Sequence, residues 1–425
     1  MVKGFVVAGT RSGCGKTTVA LGVLRALKNR KINVQPFKAG PDFIDSGLHR
    51  MACGKASINL DMWSMNIDYW FLKYATVVDF NVIEGVMGLF DGDFSTFNLS
   101  KKLKLPIILV VDTYGMAESI EALIQGYKAL TEKDGLSIYI VLNRVSSENH
   151  LLRMLRALKG KAEVIGYLMK QDFHIPSRHL GLFTAEENPI TDEIFDTLAY
   201  EIEKNFDMER ILKLRSEYKL EYKQSNPINI FKDCSSIAIA YDKAFCFYYT
   251  HIIDSLKEAG CKISFFSPLK DSKIPDHTDL IWIGGGYPEL YATELSENQS
   301  MKNEIKKWIN ENKKLYAECG GLIYLCKTLI MNTKQYEMID IFPFEINMNK
   351  MCLGYREVLL NENALIGLKG MRFRGHEFHY SKILNDKWKD RLYTVKDNQA
   401  RTWQEGYRFR NCLATYVHFI SNINS

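Results

Sequence analysis

Apolar residues along the chain fall into strand-length runs and longer segments of helical spacing. Continuous runs at 5–8, 77–83, 107–111 and 138–142 alternate with helical patterns up to about residue 200. Strands alternating with helices predict a parallel sheet, so the first part of the chain is expected to form one doubly wound α/β unit. The character changes over 206–233, where MERILKLRSEYKLEYKQSNPINI is dense in charge and lacks a β-type run. That stretch is the candidate linker. Strand patterns return at 235–242, 262–267, 279–286 and 313–321, with a helix predicted over 248–259. The expected division is a domain over 1–205, a linker over 206–233 and a second α/β domain over 234–425.

Composition narrows the class without naming a function. At roughly 100–200 residues per domain, 425 residues suit two to four domains. Hydrophobic residues at 46% and charged residues at 25% argue against disorder. The longest apolar stretches, such as 107–111, fall far short of the roughly 18 residues that span a bilayer, so no membrane partner is expected. Lys and Arg number 55 against 50 acids, a net charge of +5 with no like-charge block, so no nucleic-acid partner is expected either. The strand-like GFVVAG begins directly after Lys3 and leaves no room for a secretory leader; a cytoplasmic location is expected. Nine cysteines without a C-x-x-C pair suggest neither a zinc site nor a disulfide framework, and most should be buried thiols.

The first chemical constellation is GTRSGCGKTT (9–18), set between a strand run and the helical VALGVLRALKNR. This order suits a phosphate-binding loop, because glycines let successive N–H groups turn inward and the helix N-terminus adds partial positive charge. Gly13, Gly15, Lys16, Thr17 and Thr18 are the candidate ATP ligands, with Lys16 reaching the outer phosphates and Thr17 holding Mg²⁺. The strict G-x-x-x-x-G-K-[ST] spacing asks for glycine at position 10; the chain has Thr10, with Gly9 one residue earlier. The GT-x-x-x-x-GKT variant resembles the dethiobiotin-synthetase-like ATPases. KAGPDFID (38–45) and VIEGVMGLFDG (82–92) each close an apolar run, the place where open α/β sheets bind ligands. They supply Lys38 and Asp45 as candidate substrate or phosphoryl contacts, Asp42 and Glu84 as candidate Mg²⁺ ligands beside Thr17, and Asp91 as a further acid. Taken singly, each acid is as readily a helix cap.

The second constellation is LYAECGGLIYL (315–325), a strand, sharp turn and helix with Cys319 at the corner. Such an elbow lifts a nucleophile above a sheet and lets the next N–H face a developing oxyanion. Gly320 follows the cysteine, and Gly285 and Gly286 in WIGGGYPELYATEL (282–295) could offer further N–H groups. A thiolate needs a base: His418 in ATYVHFISN is preferred, with His376 and His379 of RFRGHEFHYS as competitors. The H-E-F-H spacing is not that of H-E-x-x-H, so no metal is expected there.

These segments, from residue 9 to residue 380, resemble the cobyrinic acid a,c-diamide synthase family. The resemblance implies an N-terminal P-loop domain of the dethiobiotin-synthetase type that makes amides with ATP, and a C-terminal class I glutamine amidotransferase-like α/β domain. It implies Cys319 as glutaminase nucleophile, His418 as its base, Lys16 and Thr17 at ATP and Mg²⁺, and Glu84 with Asp42 or Asp45 beside them. The implied small-molecule partners are ATP, glutamine and a tetrapyrrole acid whose a and c acetates are amidated. The class I H-x-E pattern would place glutamate at 420, where this chain has Ile420. Either the third triad member is absent or another acid orients His418. Cobyric acid synthases carry an Asn-Met-Ser type of segment where this chain has Gly-Pro-Asp, and are disfavoured. Nickel-sirohydrochlorin a,c-diamide synthases share nearly every motif. A regulatory P-loop ATPase with a ligand-binding C-terminal module is the alternative from another class.

Overall fold

The first apolar run becomes β1 (Gly4–Gly9), followed along the chain by β2 (Val34–Ala39), β3 (Ile58–Leu60), β4 (Phe80–Glu84), β5 (Ile107–Asp112), β6 (Ile138–Val145) and β7 (Val164–Met169). They pair in parallel in the order β3-β2-β4-β1-β5-β6-β7. The reason for continuous rather than alternating runs is visible in β5: Ile108 and Val110 enter one core with Val19, Leu24 and Leu198, while Ile107, Leu109 and Val111 enter another with Ile120, Ile124 and Met154. A strand covered by helices on both faces has no polar side to show. The run at 77–83 is displaced: the strand starts at Phe80, and Val77 is 70% exposed.

The computed structural model describes residues 1–170, 177–178, 181–216, 230–231 and 233–423, and the chain divides into two units, Met1–Ser225 and Asn226–Ser425. The beginning of the expected linker belongs to the first unit. Phe206, Met208, Ile211 and Leu214 are buried in the core that holds Val19 and Phe195. Gly4 N–H donates to Leu214 O and Ser216 N–H to Val2 O, tying the segment to β1. Four apolar positions spaced among charges were too sparse to stand out as an element. Residues 217–229 and 232 of that stretch lie outside the described residues, and Phe231 packs its ring on Trp282 and Tyr316 of the second unit.

In the second unit a parallel half runs Lys262–Phe266, Ser236–Ala240, Leu280–Ile283, Lys314–Glu318 and Cys412–Thr415. The same sheet continues antiparallel through Thr402–Phe409, Arg391–Asp397, Cys352–Leu360, Arg372–His379 and His418–Asn422. Cys412–Thr415 and His418–Asn422 therefore stand five ladders apart while only residues 416 and 417 separate them. A flat sheet would need about 24 Å between them, and the chain from 415 to 418 reaches only about 10 Å. The antiparallel half must roll back, which returns His418 to the edge where Glu318 and Cys319 lie.

The packing of residues 206–216 on the first unit is testable. Phe206 is 7% exposed, and its ring fills the space that a side chain at Gly166 would take. Phe206→Ala should lower the stability of the first unit by about 3–5 kcal/mol, the usual cost of truncating a buried phenylalanine. Chemical denaturation followed through that unit would contradict the assignment if the loss stayed below about 1 kcal/mol.

Candidate active sites

At the C-terminal end of β1 the chain turns through residues 10–15 into the helix Lys16–Asn29. Gly15 caps this helix at φ 102, and Gly13 also sits at positive φ, so both supply left-handed backbone that other residues resist. Gly15 has a second constraint: an added Cβ would lie 2.0 Å from Asn143 Nδ2, which donates to Cys14 O at 2.8 Å. The early glycine at position 9 is explained the same way, because a Cβ there would meet Cys14 Sγ at 2.3 Å. Thr18 falls in the first turn of the helix. Lys16 Nζ donates to Met87 O at 2.6 Å, in the loop after β4.

Glu84, the last residue of β4, gathers the other candidates. The β2–β4 register sets Lys38 directly beside it. Lys38 Nζ lies 3.1 Å from Glu84 Oε1 and 2.6 Å from Asp45 Oδ2. Thr17 Oγ1 donates to Glu84 Oε1 at 2.7 Å, and His49 Nε2 meets Glu84 Oε2 at 2.7 Å. Burial alone would raise the Glu84 pKa; the Lys38 charge and the hydrogen bonds from His49 and Thr17 outweigh it and hold the group ionised, well below the usual range. Asp45 is raised by burial and by the carboxylates of Asp42 and Glu84, against the pull of Lys38. Asp42 Oδ1 accepts from Asp45 N–H at 2.9 Å, in the first turn of the helix Ile44–Cys53, so this acid also satisfies a helix-start donor. Asp91 is apart from this cluster in role, accepting Gly88 N–H at 2.8 Å within its own loop.

His49 was not foreseen from the sequence. It is 1% exposed and bridges Glu84 to Ser57 Oγ, which is 3.0 Å from its Nδ1. Its signal was its spacing: four residues after Asp45 puts it on the same helix face. The donors around Glu84 fit Mg²⁺ in kind, because hydroxyl and carboxylate oxygens are its preferred ligands. Thr17 with Glu84 or Asp42 would hold it, although Glu84 shares its oxygens with Lys38 and His49.

In the second unit, Cys319 joins the strand Lys314–Glu318 to the short helix Gly320–Leu325. Its backbone is at φ 47, ψ −98, a strained region for a residue with a Cβ. Cys319 N–H donates to Thr415 O at 2.7 Å, which holds the corner in place. The neighbouring glycines are required by contact. A Cβ on Gly285 would lie 2.4 Å from His418 Cε1, one on Gly286 would lie 2.1 Å from Ala244 O, and one on Gly320 would lie 3.2 Å from Gly286 N. The backbone nitrogen of Gly286 thus lies close to Gly320 at the elbow.

His418 lies against Cys319. Burial would lower its pKa, but the charge and hydrogen bond of the Cys319 side chain, together with Glu318, push it up to about 10. Its Nδ1 is 3.6 Å from Glu318 Oε2. The competing histidines serve differently. His376 pairs with His418 across the ladder, stacks on it at 5.1 Å and shares a 2.6 Å hydrogen bond with Tyr249 OH; burial, then the charges of His418 and Arg356, keep it neutral. His379 stacks on Tyr416, and burial lowers its pKa to about 4. Cys352, Glu377 and His379 do bring three potential metal ligands within 4.8 Å on one face, in the segment where no metal was expected. The Arg356 guanidinium already lies 2.8 Å from Glu377 Oε2 and 3.4 Å from Cys352 Sγ, so the cation of this cluster is an arginine.

Two family assignments cover the two units. Residues 5–181 match the CobQ/CobB/MinD/ParA nucleotide binding domain, and residues 236–424 match the CobB/CobQ-like glutamine amidotransferase domain. Among curated proteins, the cobyrinate a,c-diamide synthase of Caldanaerobacter subterraneus is 38% identical, over 98% of this chain and 95% of its own length. That of Picrophilus torridus is 36% identical over 98% and 95%, and that of Sulfurisphaera tokodaii 38% over 98% and 96%. Identity sustained over nearly the whole of both chains, on a fold that carries a P-loop in one unit and a cysteine elbow in the other, shows that this chain belongs to the cobyrinate a,c-diamide synthase family.

Proposed function

We propose that the protein amidates the a and c acetate carboxylates of cobyrinic acid, using ATP to activate each carboxylate and glutamine as the nitrogen source. The observation that carries this reading is the pair of separate sites, a P-loop beside a buried carboxylate cluster and a strained cysteine beside a charged histidine. All the relatives quoted above bear the cobyrinate name, which favours the corrin over nickel-sirohydrochlorin. A regulatory ATPase with a binding module would have no use for a cysteine held at φ 47 against an imidazole.

In the second unit the Cys319 thiolate attacks the side-chain carbonyl of glutamine. The N–H groups of Gly320 and Gly286 receive the oxyanion, and the His418 imidazolium gives its proton to the departing ammonia. Water then cleaves the thioester, with His418 taking the proton, and glutamate leaves. In the first unit a tetrapyrrole carboxylate takes the γ-phosphoryl group of ATP, giving ADP and an acyl phosphate. Direct attack of ammonia on a carboxylate would have to expel oxide; attack on the acyl phosphate expels phosphate instead. Lys16 and the loop N–H groups, with Gly13, Gly15 and Thr18 shaping the turn, neutralise the transferring phosphoryl group. Bound Mg²⁺ would supply further charge compensation at the phosphates, held by Thr17 and by Glu84 or Asp42. Lys38 and Asp45 would orient the incoming carboxylate. The protein's setting as a biosynthetic enzyme on small acidic substrates suits the cytoplasm.

The separation of sites decides what each variant should lose. Cys319→Ala should lose glutamine-supported amidation while retaining the ammonia-supported reaction, and His418→Asn should lower glutamine hydrolysis by about 10²-fold or more. His376→Asn should leave most hydrolysis intact; if it alone abolished turnover while His418→Asn did not, the assignment of the base would be wrong. Lys16→Ala and Glu84→Gln should each cut amidation by about 10²–10³-fold with either nitrogen source, together with ATP consumption. Normal ammonia-supported rates in these two variants would refute the phosphoryl-transfer assignment.

A further inference from the structure

The glutaminase site leaves one role without an owner, that of the carboxylate fixing the histidine. Position 420, where H-x-E spacing would place it, holds Ile420, which is 1% exposed and whose carbonyl accepts from His251 Nε2 at 3.1 Å. We propose that Glu318, the residue immediately before the nucleophile, orients His418 and holds the charge of its imidazolium. The inference rests on the glutaminase reading and deepens it.

Both side chains are buried, and the 3.6 Å between Glu318 Oε2 and His418 Nδ1 is an ion-pair contact. The other carboxylate oxygen is fixed from two directions. Glu318 Oε1 accepts from Tyr316 OH at 2.6 Å, two residues back on its own strand, and from Phe419 N–H at 3.4 Å, the residue after His418. The acid is thus anchored to the strand that carries the base, with its second oxygen turned to the imidazole. On the opposite edge of the ring, Cε1 and Nε2 face Gly285, and the ring shares a hydrogen bond with Cys319. With the acid beside Nδ1, Nε2 is the nitrogen left for the nucleophile, a division of labour that supports the cationic form of a histidine.

Two further buried carboxylates of the same sheet are committed elsewhere. Glu377 pairs with Arg356, and Glu405 accepts Tyr416 N–H at 2.7 Å and the Thr415 hydroxyl, holding the turn before His418. Among the other titratable groups around this corner, His376 and His379 are held neutral by burial with the charge of Arg356 adding to it, and the hydroxyls of Tyr248, Tyr316 and Tyr416 are kept protonated by burial. Glu318 and a Cys319 thiolate therefore share His418 as their counter-ion. A buried carboxylate without such a partner would be strongly disfavoured.

The full chain tests this through Glu318→Gln, which keeps an acceptor for Tyr316 and Phe419 and removes the charge. Glutamine hydrolysis and the rate of Cys319 alkylation by iodoacetamide would be followed against pH. The expected result is a fall in kcat of about 10–10²-fold with KM within about threefold, and an alkaline limb moved to lower pH by about one unit, because the imidazolium has lost its neighbouring anion. Glu318→Asp, which retains the charge, should keep the alkaline limb and recover part of kcat. Wild-type kcat and pH profile in Glu318→Gln would overturn the proposal, and so would a loss of kcat with an unmoved limb, which signals packing alone. Should Glu318→Gln fail to fold, Glu318→Asp decides: a limb displaced as if the charge were gone overturns the idea. Glutamine hydrolysis surviving in Cys319→Ala would instead sink the glutaminase reading, whatever Glu318 does.

Discussion

A carboxylate with no exposed surface stays ionised only if donors and cations surround it, and the arrangement of the first unit follows from meeting that condition at Glu84. Its residue is wholly buried at the end of β4. Three elements are obliged to deliver partners there: β2 brings Lys38 by register, the helix after the glycine loop brings Thr17, and the helix Ile44–Cys53 brings His49. Lys38 in turn draws in Asp45. The parallel sheet makes this possible because its strands end at one edge, where helix N-termini converge with them. The glycine loop's helix is therefore tied to the acidic cluster through Thr17, and a change of charge at Glu84 would disturb Thr17, Lys38 and His49 together.

The second unit solves a different problem with the same edge. Here the strained Cys319 corner has to be approached by glycine loops and by a histidine from a distant stretch of chain. The close contacts leave no alternative to glycine at 285 and 286, because His418 and the Ala244 carbonyl occupy the space of a side chain. The histidine arrives only because the antiparallel half of the sheet rolls back, carrying His418–Asn422 from the far ladder to the side of Lys314–Glu318.

Much of this was legible in the sequence where local pattern and chemistry coincide. The loop at 9–18, the acid ending β4 and the glycine-flanked cysteine each sit at a strand end that the apolar runs mark out. What escaped was set by tertiary contact. His49 looks like an ordinary helical histidine until Glu84 is placed against it. Residues 206–216 read as linker because four buried side chains among many charges give weak periodicity. The apolar run begins at 77 while the strand begins at Phe80, because Val77 is apolar yet exposed. The role of Gly9 is likewise invisible without the Cys14 thiol that excludes a side chain there.

The pairing of His376 with His418 shows why the glutaminase corner can keep its positive charge on one ring. Two imidazoles stacked 5.1 Å apart in a buried ladder cannot both be protonated without severe repulsion. The competition is decided by what each ring meets. His376 meets a tyrosine hydroxyl and the charge of Arg356, neither of which favours a cation. His418 meets the charge of the Cys319 sulfur and a carboxylate, both of which do. Burial lowers both rings, so the asymmetry comes from their partners and not from solvent access. The neutral ring then acts as a flat, dry backing for the charged one: it holds the plane of His418 while offering it no competing proton. On the proposed mechanism, glutamine hydrolysis at Cys319 would depend on this difference, because an imidazolium that shared its proton with a neighbour would be a poorer acid toward departing ammonia.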